Sequence, residues 1–221
     1  MLDALQQFTL ILNGVTSTIA ISIISFFIGN LVGLPLSFLR VYGTRGVQIL
    51  IDSFEKFFRG VPELVLMLMF YFGIGLYFPF PFKNAFFTVN FVLGLRSAAN
   101  QSQIFRGAIR GIGDEQMVAA ISLGLSKVQS VLYVMLPQVI VYSTPGLGSE
   151  YALLVKDSAY SFVIGVIDIM AYTDWVRKAT LDTVTPYLIA AFLYILLTFP
   201  IATWLDKWGS MKKRQLGLER K

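Results

Sequence analysis

The chain has 221 residues, a mean hydropathy of +0.68, 56% hydrophobic residues and only 14% charged ones, which excludes an ordinary soluble domain and defines an integral membrane protein. Its net charge of +5 resides in clusters flanking the apolar runs, where it sets orientation in a bilayer and does not form a nucleic-acid surface. With no Cys and no His there is no disulfide, thiolate nucleophile, imidazole base or soft metal site, and with no GxxxxGK loop any ATP-driven work must come from another chain.

The opening Met1-Leu2-Asp3-Ala4-Leu5 lacks the basic start of a secretory signal, so the apolar run behind it reads as a retained first span. Residues 8–39 contain no charge, more than the roughly 20 positions a membrane helix needs, which predicts a long, tilted or protruding helix. Gly29 and Gly33 form a GxxxG pair that permits close helix approach. No Lys or Arg precedes this run, and Arg40, Arg45, Lys56 and Arg59 follow it, so the amino terminus is expected outside and this basic, amphipathic connector, with Asp52 and Glu55, in the cytoplasm.

Residues 64–82 make a second uncharged run, entered through Arg59-Gly60-Val61-Pro62-Glu63 and closed by Pro79-Phe80-Pro81. A third span at 85–105 carries Arg96 and the polar run Asn100-Gln101-Ser102-Gln103. A guanidinium at that depth costs a few kcal/mol, so it must face a partner or water; snorkelling, pairing inside the bundle and a direct transport role all remain open.

Arg106, Arg110 and Lys127 place the next segment in the cytoplasm. Asp114 is positioned to cap a short helix at 115–123, Gly124 suits a left-handed stop, and Ser126-Lys127-Val128-Gln129 has capping-box spacing. Met117, Ile121 and Leu125 fall on one stripe, with Val118, Ala119 and Ala120 completing an apolar face. Such a helix can lie on lipid, pack on its own bundle or dock into a partner.

Residues 128–149 cross outward but contain Pro137, Pro145, Gly146 and Gly148, which predicts a broken helix with Glu150, Lys156 and Asp157 just beyond it. Ionisable groups beside a broken membrane helix are candidate functional residues, with a Lys156–Asp157 pair as the structural alternative. Residues 158–172 read as a re-entrant or outer-surface helix, Asp174, Arg177, Lys178 and Asp182 as solvated outer charges, and 183–205 as the last span. The basic tail, Lys207, Lys212-Lys213-Arg214 and Arg220-Lys221, ends inside. The expectation is thus one all-α transmembrane domain over 1–221 with about five spans, amino terminus out and carboxyl terminus in. Of 18 Lys and Arg, all but Lys83, Arg96, Lys156, Arg177 and Lys178 fall on the cytoplasmic side.

Several motifs in order carry a family resemblance. Gly14-Val15-Thr16-Ser17-Thr18, Arg59-Gly60-Val61-Pro62 and Ile104-Phe105-Arg106-Gly107-Ala108-Ile109 are followed by Glu115-Gln116-Met117-Val118-Ala119-Ala120, Leu123-Gly124 and Leu136-Pro137-Gln138, and then by Pro145-Gly146-Leu147-Gly148-Ser149-Glu150 and Lys156-Asp157-Ser158. Together they resemble permease subunits of ABC importers of the polar amino acid type, including the Glu-Ala-Ala loop. Val118 stands where that family has Glu, Glu115 where it often has Gly, and Gln103 at what looks like a Glu position.

The resemblance implies a type I importer architecture, with a cytoplasmic coupling loop at about 106–127 that docks through Glu115, Gln116, Val118, Ala119, Ala120 and Gly124. It implies partners: ATP-binding cassette ATPase subunits that bind ATP and Mg, a second copy or sister permease, and an extracytoplasmic solute-binding protein. No cofactor is expected in this chain. The expected setting is the inner membrane and the expected substrate a polar amino acid, held by Asp157 and Arg96 with Glu150, Lys156 and Gln103; the ammonium needs an acceptor and the carboxylate a donor. Rival expectations are a permease for another small solute, such as a quaternary amine or opine-like compound, an ATP-independent transporter or channel, or a membrane enzyme, the last disfavoured without His or Cys.

Overall fold

The computed structural model describes residues 3–215, which form ten helical runs and, among the described residues, no strand. The tail residues Arg220 and Lys221, like Met1 and Leu2, lie outside the described residues. Helix α1 (Ala4–Leu12) starts in a capping box in which Asp3 accepts from the Gln6 amide at 2.7 Å. After a bend at Asn13 and Gly14 it continues as α2 (Val15–Tyr42). The combined run of 39 residues is about 58 Å long, well beyond a hydrocarbon core. Gly29 and Gly33 do not mark a surface for another chain. They let α2 lie directly on Ser97, Ala98 and Gln101 of α6 (Ala85–Ile112), and α2 with α6 is the most extensive helix pair among the described residues.

Helix α3 (Arg45–Gly60) and the helical run α4 (Glu63–Tyr77) meet at 100° across Val61-Pro62 and form an elbow. The expected span at 64–82 therefore ends at Tyr77. Fifteen residues give only about 22 Å of helix, so this segment crosses a membrane only together with α3. A short turn, α5 (Pro79–Phe82), leads into α6. The small helix α7 (Glu115–Ser122) connects α6 to α8, a continuous helical run over Lys127–Ile164 whose last turns, Ser158–Ile164, are 3-10.

The break expected in α8 is absent. Pro145 cannot donate to the Val141 carbonyl, but the Thr144 hydroxyl bonds that carbonyl at 2.9 Å, so the freed acceptor is satisfied within the helix. Pro137 is preceded by a wider π turn at Ser130–Met135. Glu150, Lys156 and Asp157 consequently sit on the helix itself. Beyond it, Gly165 turns the chain and Asp168, fully buried, caps α9 (Ile169–Thr180) through the Ala171 amide at 2.8 Å and accepts from the Ser161 hydroxyl at 3.1 Å. The expected helix at 158–172 is thus two pieces, a 3-10 tail of α8 and the start of α9. On α9, hydrogen bonds from Lys178 and Arg177 hold the Asp174 carboxyl below the usual range. The last helix, α10 (Thr185–Gln215), packs along α8.

Among the described residues three runs are long and apolar enough to cross a membrane, Ala4–Tyr42, Lys127–Ile164 and Thr185–Gln215, and the elbow makes a fourth if counted as one span. The chain is a multi-pass membrane protein. Helix α6, at 28 residues, has the length but not the apolarity. Its buried face is partly polar, with Asn90, Ser97, Gln101 and Ser102 alongside Leu93 and Phe105, and that composition leads to the site.

Candidate functional site

The polar residues of α6 are met by the elbow in register. Glu55, Arg59 and Glu63 are spaced by four and meet partners on α6 in reverse chain order. Glu55 accepts from the Ser102 hydroxyl at 2.7 Å, the Gln103 amide at 3.2 Å and the Arg106 guanidinium at 3.3 Å. Arg59 donates to the Asn100 carbonyl oxygen at 3.0 Å, and Glu63 pairs with Arg96 Nε at 2.5 Å. Helix α8 closes the far side, where Asp157 pairs with Arg96 through NH1 and Glu150 accepts from the Asn100 amide at 3.1 Å.

Arg96 is therefore held between two carboxylates, from α4 and α8. This spreads its charge over three helices and meets the need for a partner at depth. Arg96 and Asp157 each keep 15% of their side-chain surface accessible, whereas Glu150 is 3% exposed.

Of the residues expected to contact a solute, Arg96, Asp157 and Glu150 come together. Lys156 is exposed on another face of α8 and makes no ion pair with Asp157 among the described residues; Arg96 takes that carboxylate instead. Gln103 faces Glu55. Reading the sequence missed Glu63, Asn100 and, above all, Glu55, which was placed in an amphipathic cytoplasmic connector without a partner and is 1% exposed. A partial signal was present in Glu55 on the apolar stripe of α3, four residues from Ile51 and three from Phe58.

The second feature is α7. Its end is a complete Schellman turn: Gly124 has φ +88°, its amide bonds the Ile121 carbonyl at 2.9 Å, and the Leu125 amide bonds the Ala120 carbonyl at 3.2 Å. Ser126 and Gln129 then form the reciprocal capping box that starts α8. At the other end Asp114 makes no side-chain cap bond, and the helix stops at Ser122 instead of Leu123. The expected stripe also divides. Met117 and Ala120 are buried, Met117 among Phe105, Ile109 and Met135, while Glu115, Gln116, Val118, Ala119, Ile121 and Leu123 are exposed. Lys127 stacks over the Tyr42 ring at 5.6 Å, which fastens the turn to α2. A small helix with an exposed apolar face, rigidly tied at its exit and packed on its inner side, can transmit a displacement into α6 and α8.

A multi-pass helical chain with a buried ionic cluster and a rigid surface helix joining two of its long helices defines a transport subunit. The chain belongs to the family of binding-protein-dependent transport system inner membrane components, whose family model matches residues 29–208. It is 30% identical over 203 residues to the arginine transport system permease protein ArtQ of Bacillus subtilis, with 92% of each chain covered. It is 33% identical over 189 residues to the arginine ABC transporter permease protein ArtQ of Haemophilus influenzae, covering 82% of this chain and 83% of that one. Among solved structures, a crystal structure of an amino acid ABC transporter with histidines superposes with a TM-score of 0.82 at 27% identity, covering 96% of this chain and 99% of that one.

Proposed function

We propose that this chain is the membrane-spanning permease subunit of an ATP-driven importer that moves a polar amino acid across the cytoplasmic membrane by alternating access. The observation that carries the reading is the juxtaposition of the Arg96–Asp157 pair with the exposed, rigidly anchored α7 on the same two helices. In this reading α6 is the third of five spans of a single transmembrane domain over 1–221, the amino terminus is outside and the carboxyl terminus inside, and the segment at about 106–127 is the cytoplasmic coupling loop.

The chemistry follows from the ionic cluster. A zwitterion entering between Arg96 and Asp157 replaces one ion pair with two, its ammonium on Asp157 and its carboxylate on Arg96, while Glu63 and Glu150 hold the surrounding charge. The closed pair is then the empty resting arrangement. Alternation requires a bias between inward and outward states, supplied by ATPase subunits that bind ATP and Mg and receive Glu115, Gln116, Val118 and Ala119 of α7. Ala120 and Gly124 serve that contact indirectly, one by packing and one by the turn. A second permease copy or sister chain and an extracytoplasmic solute-binding protein complete the assembly; the chain itself does no ATP hydrolysis.

The test is uptake in proteoliposomes containing the whole assembly. Asp157→Asn and Arg96→Gln are expected to weaken apparent substrate affinity about tenfold or more, since each removes one charge-assisted contact. Unchanged apparent affinity in both variants sinks the assignment of the pair.

A further inference from the structure

Glu55 lies outside the Arg96 cluster, and no part of the transport reading uses it. It sits at the centre of the buried stripe of α3, between Ile51 and Phe58, and is 1% exposed. A carboxylate in that position is tolerated only if its lone pairs are filled. All three donors that fill them, Ser102, Gln103 and Arg106, come from one stretch of α6.

That stretch lies midway between Arg96 and the C-terminal end of the helix. Arg96 is six residues before Ser102 and Ile112, the last residue of α6, is six after Arg106, about 9 Å of helix in each direction. Both arms of the elbow are thus pinned to α6, α3 by Glu55 on Ser102, Gln103 and Arg106 and α4 by Glu63 on Arg96, with Arg59 on Asn100 between them.

We infer that Glu55 is a positioning residue that makes the elbow and α6 move as one body, so that when a displacement of α7 moves α6, Glu63 stays on Arg96 and the Arg96–Asp157 pair is reset as a unit with it. Sliding α6 against α3 strips Glu55 of every donor at once and leaves an unpaired buried carboxylate, so the two helices do not slip. The inference rests on the transport reading above and adds to it the residue that keeps the elbow in step with α6 during the ATPase stroke.

The experiment compares wild type with Glu55→Gln in proteoliposomes holding the full assembly, with ATP hydrolysis and substrate uptake measured on the same vesicles. Glu55→Gln keeps the shape and some hydrogen bonds but loses the ion pair with Arg106. Uptake per ATP hydrolysed is expected to fall about tenfold while ATP hydrolysis persists, the size of a typical coupling free energy. A merely structural role lowers uptake and hydrolysis together and leaves the ratio unchanged, and that result overturns the inference. Should Glu55→Gln fail to assemble, Arg106→Gln replaces it, with the same fall in the ratio expected and an unchanged ratio equally fatal. A wild-type assembly with no ATP-driven uptake removes the transport reading itself, and the inference with it. Normal wild-type uptake with a fully coupled variant removes the Glu55 inference alone.

Discussion

Arg96 is the side chain on which most of the polar chemistry converges, because it serves Glu63 and Asp157 together. Removing it orphans two carboxylates, so Arg96→Gln should cost about 3 kcal/mol of stability, measured by thermal or denaturant unfolding in detergent, and adding Asp157→Asn should return part of that loss. A second residue-scale prediction concerns Asp168, which burial pushes up to about 6. Its folded value lies above its unfolded one, so its contribution favours the folded state at pH below about 4 and is lost as pH rises through about 6. Asp168→Asn keeps an acceptor for the Ala171 amide, so the melting temperature should change little at pH 5 and depend less on pH between 4 and 7 than in wild type; an unchanged pH profile contradicts this. Whether an ionic residue could be read from the sequence depended on distance. Arg96 announced its need for a partner because an intramembrane guanidinium must have one, but Glu55 stood without a visible partner because its donors lie 47 to 51 residues away.

At the scale of elements, the turn from α7 into α8 was legible because every determinant lies within ten residues: a glycine for the left-handed position, then a Ser and Gln at capping-box spacing. Gly124→Ala should destabilise this turn by about 1 kcal/mol and weaken ATPase association in a pull-down, whereas Gly107→Ala, in open space inside α6, should be neutral or stabilising by up to about 1 kcal/mol. The α2 to α6 contact is stricter. A β-carbon at Gly29 falls 2.6 Å from Ser97 Oγ, so Gly29→Ala should cost about 1–3 kcal/mol, read as a lower melting temperature. The GxxxG pair was visible in the sequence, but which helix it receives is a tertiary fact. The continuity of α8 was misread for a local reason: Thr144, directly before Pro145, holds the carbonyl that the proline abandons.

At the scale of the whole molecule, the all-helical membrane class followed from composition, and the order of the motifs matched the family to which the chain belongs. The arrangement of the elbow did not follow from hydropathy. A 100° bend at Val61-Pro62 turns the apolar α4 away from the amphipathic α3, and the contacts of Glu55, Arg59 and Glu63 tie both arms to α6. The central claim is that α7 receives work from an ATPase and that the work reaches a zwitterion site at Arg96 and Asp157. The most direct test is uptake by the reconstituted assembly, with its ATPase and solute-binding protein, across a panel of polar amino acids. The account predicts accumulation that requires ATP and the ATPase and that loses apparent affinity in Asp157→Asn and Arg96→Gln. Uptake that proceeds without ATP, or that both variants leave unaltered, contradicts it.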